Sequence, residues 1–341
     1  MGFLQRIMTA AAPLLCGLAC TLPNGQAQAA DPQLDADFFA GKRLTYIVGT
    51  VPGGGYDNYA RLIAKYLPRH LGIRAAFVRN VPGASHLIGL HALVNAKPDG
   101  LTIGTFNTGL LMSSNPLSID LRELSWIGKA ASETRIFVVA KKEPPNEFED
   151  LRRHDHQAAL YATSGLLGAS HLQMMLIGQA FQMHIRPVHG FSGSETLMVV
   201  LRGDVMGSLM SLTRVEAAIM AGKLTPLFYL GHPRPKFPVP SLATFAETDA
   251  QRALAKQLSS MTELGRLTAA PPDLGPDRLN TLRNAYFDTL SDPELLAEAE
   301  RLNMPIDAWH GSKVEHEIAT LPQLAEIAQS AEKSANMDLN R

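Results

Sequence analysis

The chain has 341 residues, of which 46% are hydrophobic and 18% are charged, and its formal net charge is −1. That length allows two domains with ample core. The near-neutral charge, without a basic cluster, argues against nucleic acid as a partner. The 27 glycines and 22 prolines indicate an ordinary globular protein rather than a disordered one.

The first 30 residues have the pattern of an export signal. Arg6 precedes an apolar run over 7–22, and Ala27-Gln28-Ala29 offers a small-residue cleavage site. A membrane anchor is the alternative, but the run is shorter than the roughly 20 residues that a span needs and is interrupted by proline. We predict export to the periplasm with cleavage near Ala29. Lipidation of Cys20 stays open.

The next segment, 44–60, combines a strand, a glycine-rich turn and a helix. Apolar residues over 44–48 predict a buried strand, Gly53-Gly54-Gly55 follow, and Asp57 is a plausible helix N-cap. Backbone N–H groups before a helix N-terminus favour an anion. No Gly-Lys-Ser/Thr follows and the G-x-G-x-x-G spacing is missing, so a nucleotide is not expected.

Strand, polar turn and helix then recur along the chain, which predicts right-handed crossovers and parallel sheets. Five loops rich in glycine, serine, asparagine and threonine follow predicted strands, at 50–57, 80–86, 105–109, 163–171 and 190–195. Ligands of such sheets bind at the carboxyl ends of the strands, so these loops form the candidate site.

Two proline-rich stretches, 141–145 and 231–235, suggest domain boundaries. We predict a discontinuous first lobe of 41–140 plus 230–341 and a second lobe of 141–229. A hinge between them would allow closure.

Catalytic and metal-binding patterns are weak. His154-Asp155-His156 has two candidate ligands but no further ones nearby, so a solvated loop is favoured over a metal site. The stretch around Ser192 fails the G-x-S-x-G pattern because residue 194 is serine. His171 could act as a base for Ser170, but no acid is placed to orient it. We expect no catalytic residues, metal or cofactor, and keep an exported serine hydrolase using Ser170 or Ser192 as a rival.

Several short motifs, in this order and spacing, resemble the Bug-type substrate-binding proteins of tripartite tricarboxylate transporters. The resemblance extends over about 42–310. Its motifs are PGGGYD at 52–57, ARL at 60–62, NVPGA at 80–84 with Gly89, PDGLTIG at 98–104, SGLLGASHL at 164–172 and TAAPPD at 268–273.

The resemblance implies an α/β, two-lobed type II periplasmic binding protein fold with two doubly wound sheets joined by a hinge. It also implies a small organic anion (a di- or tricarboxylate or an aromatic acid) held in the cleft and delivered to membrane permease subunits by a monomer. By the resemblance, the loops over 51–57 and 164–171 contact the ligand, and Gly193 and Ser194 support them. With the other polar loops, the expected ligand-binding residues are Thr50, Val51, Pro52, Gly53, Gly54, Tyr56, Asp57, Ser85, Asn107, Thr108, Ser164, Gly165, Gly168, Ala169, Ser170, His171, Gly193 and Ser194.

We expect backbone N–H groups to hold the carboxylate and the hydroxyls of Thr50, Ser164 and Ser170 to orient it, without a strongly basic pocket. The chain departs from the family at Gly49-Thr50, where Pro-Phe is frequent, at Met206, where many members have Asp, and at Tyr56, where a small residue is usual. Ligand identity therefore stays open. A sensor that presents its ligand to a receptor kinase is the alternative to transport.

Overall fold

In the computed structural model, the residues described are 37–107, 110, 119–141, 145–153, 158–166, 168–191, 193–231 and 237–320. Within them the strands are β1 (Arg43–Val48), β2 (Ala75–Asn80), β3 (Thr102–Thr105), β4 (Ser125–Lys129), β5 (Arg135–Ala140), β6 (Ala159–Ala162), β7 (Ile185–Val188), β8 (Gly207–Ser211), β9 (Leu224–Leu230), β10 (Leu267–Ala270) and β11 (Trp309–His310). The α-helices are α1 (Gly55–Leu71), α2 (Leu87–Val94), α3 (Ala169–Ala180), α4 (Ser194–Arg202), α5 (Leu212–Met220), α6 (Asp249–Glu263), α7 (Pro276–Ser291), α8 (Pro293–Arg301) and α9 (Gly311–Thr320). Short 3₁₀ helices lie at Ala84–His86, Leu121–Glu123, Phe148–Arg152 and Leu242–Phe245.

The first sheet has six strands in the order β11-β4-β10-β3-β1-β2. Its β1 pairs in parallel with both β2 and β3, as strand–helix–strand units require. The late strand β10 then runs antiparallel between β3 and β4. The parallel pairing predicted from the early strand–helix–strand units is therefore confirmed for β1, β2 and β3. The sheet as a whole is mixed, because β10 lies antiparallel between β3 and β4.

The second sheet has five strands in the order β7-β6-β8-β5-β9. Strand β6 is parallel to β7 and β8, whereas β5 is antiparallel to β8 and β9. This sheet is mixed as well. Each sheet has its parallel part beside the loops that the sequence singled out.

Helices pack on each sheet and bury its apolar side chains. On the first sheet, α1 contributes Leu62, Ile63 and Tyr66 to a core shared with Leu282 and Tyr286 of α7. A buried chain of hydroxyls crosses this core: Thr268 Oγ1 lies 2.5 Å from the Tyr46 hydroxyl and 2.8 Å from the Tyr286 hydroxyl. On the second sheet, aromatic rings of β5, β9 and the 3₁₀ helix Phe148–Arg152 form the core.

The sequence suggests only a small helix beginning at Phe245, whereas the structure has a 3₁₀ helix at Leu242–Phe245 and the longer α6 at Asp249–Glu263. A capping box opens it, in which Thr248 Oγ1 accepts from the Gln251 N–H while the Gln251 side chain accepts from the Thr248 N–H. This Thr-x-x-Gln pattern is visible in the sequence and could have revealed the helix. Its apolar face, with Leu258 and Met261, packs in the core of the second sheet.

The chain passes between the sheets at two places. One is 130–134, between β4 and β5, and the other is 264–266, between α6 and β10. The two crossings touch, since the Glu133 N–H donates to Thr262 O and the Ala130 N–H donates to Arg266 O. The predicted lobe limits describe parts of the chain that move relative to each other, and they remain a prediction.

Across the described ranges, no helix is both long enough and apolar enough to cross a membrane. The predicted export signal, with its cleavage site, lies outside the described residues. The sequence also predicts a tail helix over 312–332. The structure has α9 over Gly311–Thr320, and residues 321–332 lie outside the described residues.

Candidate functional site

A cleft of about 360 Å³ lies where the loops of the two sheets meet. All five predicted loops contribute to its lining, through residues such as Thr50, Ser85, Asn107, Ser170 and Gly193. The loops of the two sheets are in close contact, since a Cβ on Gly165 would lie only 3.2 Å from Ser85 Oγ. The strand-to-helix loops therefore share one site, as the sequence predicts.

The glycine-rich loop places the N-terminus of α1 at the cleft. Helix α1 begins at Gly55, and the extended Gly54 is its N-cap. Gly53 has a φ of 84°, a left-handed conformation that glycine adopts without strain. Asp57 is therefore not the N-cap, and that prediction is wrong by one helical turn.

Asp57 instead connects the glycine-rich loop to α1 and to the end of β2 through hydrogen bonds. Its carboxylate accepts from the Gly53 N–H, from Arg61 Nε and from Asn80 Nδ2, each at 2.8 Å. Burial raises the pKa of Asp57, but these hydrogen bonds outweigh burial and hold that pKa below its usual value. Asp57 thus stays charged and fixes the loop. Because the Gly53 N–H is taken by Asp57, it is not a free donor for a ligand.

The floor of the cleft is built from rings packed on a glycine. His86 lies edge-on to Tyr56, with ring centroids 4.7 Å apart. Gly49 leaves room for His86, because a Cβ on Gly49 would lie 2.7 Å from His86 Cβ. Burial and the nearby charge of Arg266 lower the pKa of His86 to about 3, so His86 is neutral at physiological pH. The departures at Gly49 and Tyr56 therefore belong to one packed group.

Among the cleft residues, several polar atoms are buried without a hydrogen-bond partner in the described part of the chain. They are Thr50 Oγ1, the Tyr56 hydroxyl, His86 Nδ1, Asn107 Oδ1, and Nε and Nη1 of Arg266. Buried polar atoms are normally hydrogen-bonded, and an orphaned one is costly. These atoms are therefore suited to a polar ligand.

The second sheet supplies a small, polar wall. Thr163 and Ser170 stand at the entry to α3, with their hydroxyl oxygens 3.5 Å apart. Ser208 Oγ donates to Ala162 O at 2.8 Å and so is already satisfied. Gly193 lies before α4 with a φ of 53°. Small side chains on this wall leave room for a ligand between the sheets.

The sequence reasoning missed the charged residues of the cleft, namely Glu133, Arg135, Arg214 and Arg266. Glu133 Oε2 accepts from Arg135 Nη2 at 3.0 Å, and Glu133 Oε1 lies 3.4 Å from Arg266 Nη2. Burial raises the pKa of Glu133, but the charges of both arginines outweigh burial and bring that pKa down to about 2. The lining of the cleft therefore carries more positive than negative charge, which the near-neutral net charge of the chain did not indicate.

The eighteen predicted ligand residues divide into three groups. The cleft is lined by Thr50, Val51, Gly54, Tyr56, Ser85, Asn107, Ser164, Gly168, Ala169, Ser170 and Gly193. The following lie outside its lining: Pro52, Gly53, Asp57, Gly165, His171 and Ser194. Thr108 falls outside the described residues. Ligand contact by any of these residues stays a prediction.

Ser170 and His171 are not arranged as a nucleophile and its base. The His171 side chain is buried and packs its ring on His189 at 4.8 Å, and burial lowers the pKa of His171 to about 4. Ser170 Oγ instead has Thr163 Oγ1 as its neighbour. The other candidate nucleophile, Ser192, and the metal candidate His154-Asp155-His156 lie outside the described residues. Within the described ranges, no group of three or more potential metal ligands is present.

Comparison with known proteins gives the family. Residues 59–325 match the family described as the tripartite tricarboxylate transporter family receptor (TctC). The chain belongs to this family. A UPF0065 protein encoded in the tcbD–tcbE intergenic region of a Pseudomonas species is 25% identical over 84% of this chain and 89% of its own length. A UPF0065 protein of Bordetella pertussis is 26% identical over 58% of this chain, which spans 64% of that relative.

Solved structures show that this receptor-family chain has the fold expected from its sequence. The periplasmic binding protein BugD superposes with a TM-score of 0.68 at 19% identity, over 85% of this chain and 98% of BugD. A Rhodopseudomonas palustris protein solved with adipate has a TM-score of 0.67 at 18% identity, over 86% and 97% of the two chains. MatC from the same species, solved with malate, has a TM-score of 0.61 at 19% identity, over 85% and 96%. The chain therefore has the two-lobed α/β periplasmic binding protein fold.

Proposed function

We propose that this TctC-family receptor is an extracytoplasmic solute-binding protein that captures a small organic carboxylate in its interlobe cleft and delivers it to a tripartite tricarboxylate-type membrane transporter. One observation supports this most: the cleft contains buried donors of Arg266 without a partner among the described residues. The neighbours solved with malate and with adipate share this fold, and their ligands are carboxylates.

The proposed binding mode uses both sheets. The N-terminus of α1, at Gly54 and Gly55, faces the cleft with the positive end of the helix dipole. Thr50 and Ser170 add hydroxyls from opposite walls. A carboxylate held between them contacts both lobes, and its binding favours the closed arrangement over an open one.

We also propose that the protein is exported to the periplasm and cleaved near Ala29, that it acts as a monomer without a cofactor, and that it does not catalyse a reaction. We further propose that two lobes, one built on each sheet, close over the ligand. N-terminal sequencing of protein recovered from a periplasmic fraction tests the cleavage site. Scattering measured with and without ligand tests both closure and the monomer.

The ligand class is tested by thermal-shift screening of the purified protein against small carboxylic acids, with the matching primary amides as controls. A ligand that binds only the folded state stabilises that state by RT ln(1 + [L]/Kd), so about 100 Kd of ligand adds about 2.7 kcal/mol. Acids should raise the melting temperature and their amides should not. The proposal fails if no carboxylate raises the melting temperature at millimolar concentration.

A further inference from the structure

The short segment Ala84–His86, between β2 and α2, has an unusual backbone. Ala84, Ser85 and His86 have φ angles of 43°, 52° and 80°, in the left-handed region that residues other than glycine rarely adopt. Other non-glycine residues with such angles in the described ranges occur singly. Each left-handed residue costs free energy, so a run of three persists only where surrounding contacts hold it. We call this segment the left-handed turn.

A side chain from a different strand-to-helix loop holds this turn. Asn107 Nδ2 donates to Ser85 O at 2.6 Å. Asn107 follows β3 and the left-handed turn follows β2, while β1 lies between those two strands in the sheet. The hydrogen bond therefore bridges the carboxyl end of β1, where Gly49 and Thr50 lead into the glycine-rich loop.

The left-handed turn places two residues in the cleft, Ser85 and His86. Ser85 Oγ reaches the loop of the opposite sheet, where a Cβ on Gly165 would lie 3.2 Å from it. The His86 ring packs against Tyr56 and against Gly49. Because φ determines the direction of the Cα–Cβ bond, a change of the turn to right-handed angles would move both side chains out of these positions.

We propose that Asn107 is a positioning residue of the binding site: its amide group holds the left-handed turn, and the turn places Ser85 and His86 in the cleft. This inference rests on the proposed function and gives Asn107 a role besides ligand contact. The acceptor also fixes the orientation of the amide, since only its NH₂ group can donate to Ser85 O. Asn107 Oδ1, buried without a partner among the described residues, is thereby left as an acceptor for the ligand.

Two backbone amides report on the shape of the turn. The Leu87 N–H donates to Ala84 O, and the Ile88 N–H donates to Gly83 O at 3.5 Å. Both hydrogen bonds need the left-handed turn, so its opening exposes these two N–H groups to exchange with solvent. Ala84 is exposed and does not line the cleft. Ala84→Gly therefore relieves the strained backbone without changing a side chain of the site.

Hydrogen–deuterium exchange of the ligand-free protein, measured by mass spectrometry in peptides that cover 83–91, tests the inference. Asn107→Ala removes the donor to Ser85 O. A hydrogen bond between neutral groups is worth about two- to tenfold in an equilibrium constant, so the Leu87 and Ile88 amides should exchange faster by about that factor. Adding Ala84→Gly should bring the exchange back to within about twofold of the unmodified protein.

Asn95→Ala is the matched control, because Asn95 Nδ2 also donates to a backbone oxygen, His91 O at 2.8 Å, at the other end of α2. Asn95 does not line the cleft, and its replacement should leave the exchange of both amides unchanged. Titration calorimetry with malate and with adipate measures the effect on binding. Asn107→Ala should weaken binding at least about twofold, and adding Ala84→Gly should recover at least about twofold of any larger loss. A residue that only contacts the ligand would not be rescued from outside the cleft.

If Asn107→Ala leaves the exchange of both amides unchanged, or if Ala84→Gly restores neither exchange nor affinity, the inference is overturned while the proposed function stands. Faster exchange with unchanged affinity also overturns it, because the turn would then not serve the site. If neither acid binds the unmodified protein, the failure belongs to the proposed function, and the exchange measurements still decide whether Asn107 holds the turn. Should Asn107→Ala not fold by circular dichroism, Asn107→Asp takes its place, since it keeps the shape but cannot donate to Ser85 O.

Discussion

Replacing Asp57 tests whether the glycine-rich loop is held by a buried charge. The carboxylate is almost fully buried and its three partners are all donors: the Gly53 N–H, Arg61 Nε and Asn80 Nδ2. Asp57→Ala removes all three acceptor contacts. Asp57→Asn keeps the shape but puts an NH₂ group against a donor. Both variants should be less stable than the unmodified protein.

The expected loss in free energy of unfolding depends on how exposed each partner of Asp57 is. A hydrogen bond to a charged group contributes about 1.5–3 kcal/mol, which applies to Gly53 and Asn80. The Arg61 side chain is 51% exposed, so its ion pair is screened by solvent and adds at most about 1 kcal/mol. Because the contacts are not additive, we expect Asp57→Ala to lower the free energy of unfolding by about 3–5 kcal/mol. Asp57→Asn should lower it by about 2–3 kcal/mol.

Urea denaturation at several pH values measures this free energy. The pKa of Asp57 is lower in the folded protein than in the unfolded chain. Its contribution is therefore present above the unfolded pKa of about 3.9 and is lost as the pH falls through the folded pKa. The gap between the unmodified protein and Asp57→Asn should be full at pH 7 and should shrink as the pH falls below about 4.

Asp249→Ala is the control, because Asp249 also pairs with an arginine but its side chain is 99% exposed. This variant should lose no more than about 0.5 kcal/mol. If Asp57→Ala is no more destabilising than Asp249→Ala, or if its deficit does not depend on pH, the reasoning about the loop is refuted.

Two other substitutions test the packing that positions the cleft. Gly49→Ala should lower both stability and carboxylate affinity, because its Cβ would lie 2.7 Å from His86 Cβ. Gly275→Ala is the control: the space around its Cβ is open, so thermal melts and ligand titrations should show no change. Thr268→Val should lower the free energy of unfolding by about 2–3 kcal/mol in urea, since it leaves two buried tyrosine hydroxyls without their shared partner. A loss below about 0.5 kcal/mol would show that those hydroxyls are satisfied in another way.

Local patterns in the sequence predicted the elements around the site well. The run over 44–48, the three glycines and the apolar spacing of α1 are contiguous, so their structure follows from short-range rules. The five polar loops do meet in one cleft, because the carboxyl ends of parallel strands share an edge. The predicted N-cap was wrong. Gly54 is the N-cap of α1, and Asp57, in the first turn, accepts a hydrogen bond from the Gly53 N–H.

The charged cluster could not be found in this way. Glu133 and Arg266 are 133 positions apart and meet only because two crossings between the sheets touch. A formal net charge of −1 is a sum over the whole chain and hides a local excess of positive charge. Arg214 sits in an ordinary amphipathic helix, so nothing in its neighbourhood distinguishes it from a surface arginine. The charge of the cleft therefore depends on contacts between distant parts of the chain, which overall composition does not reveal.

The antiparallel insertion of β10 also sets an order of assembly. All five strands of the second sheet lie between residues 135 and 230, so that sheet can form from one continuous stretch of chain. Among the described strands, β3 and β4 do not pair with each other, and each of them pairs with β10 at Leu267–Ala270. More than 150 residues separate the end of β3 from β10, so the ribosome must add them before β10 can pair with β3. Pairing between strands so far apart in sequence is slow. The sheet that begins the chain is therefore the last to close.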